Sequence, residues 1–358
     1  ELNLITADSM VYISTNSRMK LNKINMELLG EAGHTSSYKA GIHLKMDETP
    51  CQDFFTSLPN GLFNSLKGIE ASGTVSYKLN FDVDTGQPDS VRFNSDFNAS
   101  NFHINRFGRE DLSKMSRPFE YEARENDKVV KTFIVGPENH DFTPLESISL
   151  YLIYCVLTAE DGTFYFHKGF NEEAFRMSIA TNLKEKRFAR GGSTITMQLV
   201  KNVHLNRDKT ISRKIEEALL VWLIENNHLC SKDRMLEVYL NIIEWGPGIY
   251  GITDAARYYF NKSPAELNLE ESIYLSSIIP NPKLFRYAFD QEGNLRPRLQ
   301  GYFRLVAGRL LGKEIITQLQ YDSLRYTVRL NGPARELVVP ADTMPPDSTF
   351  IFEDPILP

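Results

Sequence analysis

The sequence predicts an α+β fold in which a β-rich part, residues 1–128, precedes a mostly helical part, residues 129–325, with a C-terminal extension over 326–358. Two observations predict it. The stretches from Ser72 to Asp84 and from Ser90 to Phe97 alternate polar and apolar residues with a period near two, around the turn signal at Thr85, Gly86, Gln87 and Pro88. From Pro144 onward apolar residues recur at helical spacing, punctuated by helix starts and stops.

Taken in order, the alternating strands imply a sheet with one wetted face. The run from Ala71 to Tyr77, with a later partner strand, is similar to AsmA-like repeats of bacterial envelope proteins. The polar stretch from Glu122 to Lys128 reads as a linker. Thr143, Pro144 and Glu146 form a helix start, with Thr143 as cap and Glu146 returning a bond, and that helix is expected to run to Glu160 with Gly162 as its stop. Phe170 to Arg190 mixes Phe170, Phe175, Met177 and Phe188 with five cations, a composition that suits either a helix dipping into anionic headgroups or an amphipathic helix packed on the core. Gly191 and Gly192 let backbone approach a ligand, and the Ser193 hydroxyl with the first helical amides makes an anion site at a helix N-terminus. In helical register Thr194, Gln198, Lys201 and Asn202 lie near one face. A helix from about Ile211 is expected to pack Ile211, Ile215, Ala218, Leu219 and Trp222 inward, leaving Arg213 and Glu217 four apart on another face. Met235, Leu236, Tyr239 and Ile242 mark a further core-facing helix, followed by a glycine-rich tight turn from Gly246 to Gly251.

The 358 residues allow two domains of ordinary size, and 42% hydrophobic with 24% charged residues is a globular composition. With 40 basic and 46 acidic side chains the net charge is −6, so no bulk basic field argues for nucleic acid, and any anion site is local. Cys51, Cys155 and Cys230 are an odd set without metal-ligand spacing and read as free thiols. No run reaches the length of a membrane span; the longest apolar run is Leu150 to Leu157.

Chemistry concentrates in five ordered blocks. Glu160, Asp161, Phe164, His167 and Gly169 form the first, and Gly191 to Asn202 the second. Arg213, Lys214 and Glu217 follow, then Lys232, Leu236, Glu237, Tyr239, Leu240 and Asn241, and last Gly246 to Phe260. Together they resemble the family 51 glycosyltransferases, which polymerise lipid II into peptidoglycan, and most of all the monofunctional branch without a transpeptidase domain. The resemblance covers roughly residues 130 to 320 and leaves the first third unexplained.

The resemblance implies a lysozyme-like helical domain and an inverting transfer that makes β-1,4-linked glycan with release of lipid pyrophosphate. It assigns Glu160 as general base, and the end of an apolar helix suits that role, because burial and the helix dipole both disfavour the ionised form. Glu217 becomes the second carboxylate of the site, holding a metal ion or a cationic side chain. Asp161, Phe164, Ser193, Thr194, Gln198, Lys201, Asn202, Lys209 and Arg213 are the expected substrate-binding residues, with Lys201, Lys209, Arg213 and Ser193 on the pyrophosphate and Asp161 as a supporting group that orients neighbours. His167 is expected to serve structural hydrogen bonding. Two positions depart from the family pattern: Met197 stands where a glutamine is common, and Lys209 where an arginine is, which keeps charge but loses the bidentate fork. The implied cofactor is at most a divalent cation, Mg or Mn, with no organic cofactor. The implied partners are lipid II, the growing glycan chain, the inner membrane surface, and transpeptidases or other cell-wall synthesis proteins. The expected place of action is the periplasmic face of a bacterial inner membrane, with an anchoring segment ahead of Glu1. Two other readings are a glycan-cleaving lytic transglycosylase, for which a lysine-rich pyrophosphate cradle has no use, and a non-catalytic envelope scaffold or lipid-binding protein.

Overall fold

A computed structural model of the chain describes residues 2–14, 17–59, 61–205 and 211–338, the Ile211 side chain excepted. The chain forms two compact units. One comprises residues up to Leu112, Lys168–Ser193 and Val200–His228; the other comprises Ser113–His167, Thr194–Leu199 and the chain from Leu229 onward.

The first unit is built on an antiparallel sheet of seven strands: β1 (Leu4–Ala7), β2 (Met10–Ile13), β3 (Arg18–Leu21), β4 (Ile24–His34), β5 (Tyr38–Pro50), β6 (Glu70–Asp84) and β7 (Arg92–Arg106). They run in the order β1, β2, β4, β5, β6, β7, with β3 also paired to β4. A short helix, α1 (Cys51–Ser57), follows β5. The period-two pattern of β6 and β7 is used as expected: Tyr77 lies opposite Phe97 and Phe81 opposite Phe93, so their rings share one face. Gly73 interrupts that register with a bulge at φ +93°, where a Cβ would stand 2.3 Å from the Asn101 carbonyl oxygen.

Two helices of this unit, α3 (Glu172–Glu185) and α5 (Ile211–Asn226), cover the aromatic face. Phe175 meets Phe93 with ring centroids 4.5 Å apart, and Trp222 meets Phe97 at 4.5 Å and Phe102 at 5.1 Å. The two edge-to-face pairs of Trp222 each add about 0.5–1.5 kcal/mol to the area they bury. Trp222 also donates its indole N–H to the Phe97 carbonyl, and the Ser95 amide donates to the Glu172 carboxylate at 2.8 Å. So part of the segment from Phe170 to Arg190 packs as a core helix, while Phe188 and Met177 remain exposed at 75% and 39%.

The second unit contains a hairpin, β8 (Phe119–Glu125) and β9 (Lys128–Val135), and the helices α2 (Leu150–Glu160), α6 (Lys232–Ile242), α7 (Ile252–Phe260), α8 (Leu269–Ile278), α9 (Gln300–Gly312) and α10 (Gln318–Asp322). A second, very short hairpin of β10 (Glu244–Gly246) and β11 (Ile249–Tyr250) makes the expected glycine turn, with Gly248 at φ +72°. The helix α4 (Ile195–His204) gives Thr194–Leu199 to this unit and its residues from Val200 to the first. Leu152, Cys155 and Val156 of α2 and Met235, Leu236 and Tyr239 of α6 are wholly buried, as the helical spacing predicts. All three cysteines are free and buried.

Three local readings are corrected. The stretch from Glu122 to Lys128 is not a linker but the tip of the β8–β9 hairpin, turned by Asn126 and Asp127 at φ +46° and +63°; the domain boundary expected at residue 128 therefore falls inside a hairpin. The helix begins at Leu150 rather than Pro144, after a 3-10 turn over Leu145–Ser147, because the Leu145 amide goes to Glu237 and the Thr143 hydroxyl to Thr253 instead of to a capping box. On α5 Trp222 packs inward as expected, but the buried residues are Glu216, Glu217, Leu220, Val221, Leu223, Ile224 and Glu225, while Ile215 is 50% exposed. Glu216, Glu217 and Glu225 of this helix are all buried, which apolar spacing cannot foresee because the burial of a glutamate is decided by its partners.

Candidate active site

In the second unit α2 delivers Glu160 as its last residue, half-buried, with the Asp161 backbone N–H closing the helix by donating a hydrogen bond to the Leu157 carbonyl. Gln198, on the first turn of α4, donates its side-chain N–H to Glu160 Oε2 at 2.8 Å. The Tyr239 hydroxyl donates in turn to Gln198 Oε1 at 3.1 Å. This chain of bonds fixes which end of the Gln198 amide faces Glu160. Burial above all, then the charges of Glu160 and Asp161, push the Tyr239 phenol well above its ordinary range, so it stays a donor. Sequence reading placed Gln198 on the substrate and Tyr239 in the core; the structure places both in line with the candidate base. The signal for Tyr239 was a hydroxyl on an otherwise apolar helix face, since a buried tyrosine needs a partner.

Asp161 is 4% exposed, and its carboxylate is occupied by the protein: it accepts from the Ile195 amide at 3.0 Å and from His167 Nε2 at 2.8 Å. The anion at the N-terminus of α4 is therefore this carboxylate, where amide and helix dipole both favour a negative charge. Phe164 and Thr194, expected at the substrate, are interior. Phe164 is 1% exposed, with Lys232 Nζ 4.4 Å above its ring, and the Thr194 hydroxyl caps α4 by accepting from the Met197 amide at 3.2 Å. That leaves Ser193 exposed ahead of the helix, with the capping role taken by its neighbour.

In the first unit Glu217 is 1% exposed and accepts from Arg213 Nη1 at 3.2 Å and from Lys214. The pair is thus no solvated ion pair: the Arg213 side chain is only 14% exposed, and leaving either charge alone there would be costly. A carboxylate so enclosed orients cations, which is the cationic-side-chain form of its expected role. Its oxygens already serve Arg213 and Lys214, so they do not fit the Mg or Mn ion that the resemblance admitted. Among the described residues no three His, Cys, Asp or Glu side chains come together as metal ligands. Lys201 and Asn202 are half-buried on the last turns of α4, and Lys209 lies outside the described residues. The first motif's Gly169, at φ +86°, has the Val221 side chain of α5 where a Cβ would stand, 2.3 Å away, so only glycine fits.

No helix among the described residues is long and apolar enough to cross a membrane. Residues 126–301 match the family model described as Transglycosylase. The chain is similar to three proteins named biosynthetic peptidoglycan transglycosylase. It is 44% identical to that of Dechloromonas aromatica over 144 residues, 40% of this chain and 62% of the relative. It is 40% identical to that of Nitrosomonas eutropha over 171 residues, 48% of this chain and 67% of the relative. With that of Aromatoleum aromaticum it shares 40% over 172 residues, 48% of this chain and 71% of the relative. The sheet and the helices make the fold α+β with a lysozyme-like transglycosylase domain, and at these identities and coverages the chain belongs to the transglycosylase family.

Proposed function

We propose that the chain is a peptidoglycan glycosyltransferase that polymerises lipid II into β-1,4-linked glycan. Glu160 removes the proton from the 4-hydroxyl of the acceptor sugar as that oxygen attacks C1 of the donor; the C1–O bond to the lipid pyrophosphate breaks, and the pyrophosphate leaves with its electron pair. The observation that carries the reading is the bonded series from Tyr239 through Gln198 to Glu160, which orients one carboxylate at a helix end within the family-matched segment. Lys201, Lys209, Arg213 and Ser193 hold the pyrophosphate, and Glu217 keeps Arg213 in place. A divalent cation would arrive with the substrate pyrophosphate rather than on Glu217. The site of action is the periplasmic face of a bacterial inner membrane, where exposed Phe188 and Met177 suit contact with lipid, and transpeptidases or other cell-wall synthesis proteins would take up the product.

The test is Glu160→Gln, which keeps size and hydrogen-bonding capacity while removing the base. Polymerisation of lipid II should fall by roughly two or more orders of magnitude at unchanged lipid II binding. Turnover near the parent rate would dismiss Glu160 as the base, and an inactive parent chain would dismiss the activity.

A further inference from the structure

Besides the bond from the Trp222 indole to Phe97, the chain ahead of the family-matched segment makes two polar contacts through motif-adjacent side chains with the helices that carry the second and third motifs. His204, on the last turn of α4, donates from Nδ1 to Glu110 Oε1 at 3.0 Å, with its own side chain wholly buried. Glu216, on α5 and 6% exposed, accepts the Ser65 amide on Oε1 at 2.8 Å. The loops that carry Glu110 and Ser65 are themselves joined, the Glu110 amide donating to the Ser65 carbonyl at 3.1 Å. All four residues line one polar cleft of about 400 Å³ that also includes Arg213. All of it lies within the first compact unit.

Their placement relative to the motifs is specific. His204 is three residues after Lys201 and two after Asn202, and Glu216 is three after Arg213 and next to Glu217. The bond from His204 Nδ1 to a carboxylate holds that ring on the last turn of α4, and a buried glutamate needs its donors, so both contacts set where these turns lie. Ser65 and Glu110 fall outside residues 126–301, so nothing in the family segment supplies them.

We infer that the β-rich region is a working part of the transferase rather than an appendage: Glu110 and the Ser65 amide brace the end of α4 and the start of α5, making Glu110, His204 and Glu216 positioning residues for Lys201, Asn202 and Arg213. This rests on the reading of Lys201 and Arg213 as pyrophosphate ligands and of Asn202 as a substrate contact. It also gives the first third of the chain a task that its strands alone do not reveal.

The experiment uses the full chain with Glu110→Ala and Glu216→Ala beside Glu110→Gln and Glu216→Gln, which keep an acceptor oxygen. For each, kcat and KM on lipid II are measured below the onset of thermal unfolding, with amide hydrogen exchange read along α4, α5 and α6. The alanine variants should lose roughly tenfold in kcat/KM while folded, the scale of a lost buried hydrogen bond to a charged group, and the glutamine variants should recover most of it. Exchange should quicken on the last turn of α4 and the first turns of α5 and stay unchanged on α6. Alanine variants with the parent kcat/KM would overturn the inference, as would losses that merely follow the unfolded fraction with no local change in exchange. If the parent itself does not polymerise lipid II, the proposed function fails and exchange alone decides the brace: quickening confined to those turns supports it, and unchanged exchange overturns it.

Discussion

Tyr239→Phe removes one oxygen from a wholly buried ring and leaves every apolar contact in place. What it deletes is the donor to Gln198 Oε1, so the amide of Gln198 loses the bond that decides which end faces Glu160. A neutral hydrogen bond is worth about 0.5–1.5 kcal/mol net, and a buried acceptor left unpaired costs about 1–3 kcal/mol. At 1.36 kcal/mol per decade of rate, the net bond corresponds to a loss in kcat of roughly two- to thirteenfold, and an acceptor left unpaired to roughly five- to 160-fold. Gln198→Ala removes the donor to the carboxylate itself, a bond to a charged group worth about 1.5–3 kcal/mol, or roughly 10- to 150-fold. Because Tyr239 acts through Gln198, the double variant should be no slower than Gln198→Ala alone, the signature of coupling in a double-mutant cycle. The assay is initial-rate lipid II polymerisation, with thermal unfolding in parallel to exclude loss of folded enzyme. Losses that multiply in the double variant would refute the coupling, since Tyr239 would then act by a route that does not pass through Gln198.

Further expectations concern fold, pH and membrane. Trp222→Ala should destabilise the first unit by about 3 kcal/mol, the low end for a large aromatic because Trp222 is half-buried; denaturant unfolding within about 0.5 kcal/mol of the parent would deny its role over β7. Burial, chiefly, raises the Glu244 carboxyl above its ordinary value, so this group favours the folded state below the ordinary carboxylate range and loses that contribution as pH rises through its raised value. Glu244→Gln should therefore gain on the parent in stability between about pH 4 and neutrality, and a difference constant with pH would contradict the assignment. Phe188→Ser should weaken flotation on anionic liposomes at low salt without lowering Tm, whereas Phe175→Ser should lower Tm because that ring packs on Phe93; flotation untouched by Phe188→Ser would remove it from the lipid contact.

Much of the fold was legible in local pattern. Period-two alternation marked β6 and β7, helical spacing marked the buried face of α6, and the glycines from Gly246 to Gly251 marked a turn, because each signal reports a periodicity the backbone imposes. Legibility failed where two structures share one composition. Polar residues from Glu122 to Lys128 suit a linker and a hairpin tip alike, and pairing of β8 with β9 is a long-range choice. Thr143 and Glu146 carried the chemistry of a capping box, yet Asn241, Glu237 and Thr253 claimed the neighbouring groups first.

The sequence by itself determined the order and identity of the motifs, the base candidate at the end of α2, and the class of reaction they imply, since chemistry depends on side-chain type and spacing along the chain. Only the tertiary structure decided what each motif residue faces. It turned Asp161, Thr194 and Phe164 to the interior, made Gln198 and Tyr239 the support of Glu160, enclosed Glu217 between Arg213 and Lys214, and brought Ser65 and Glu110 to helices more than ninety residues away in the chain. A buried polar group takes whichever partner the fold presents, at a cost of about 1–3 kcal/mol if none arrives, and no local pattern records which distant residue that will be.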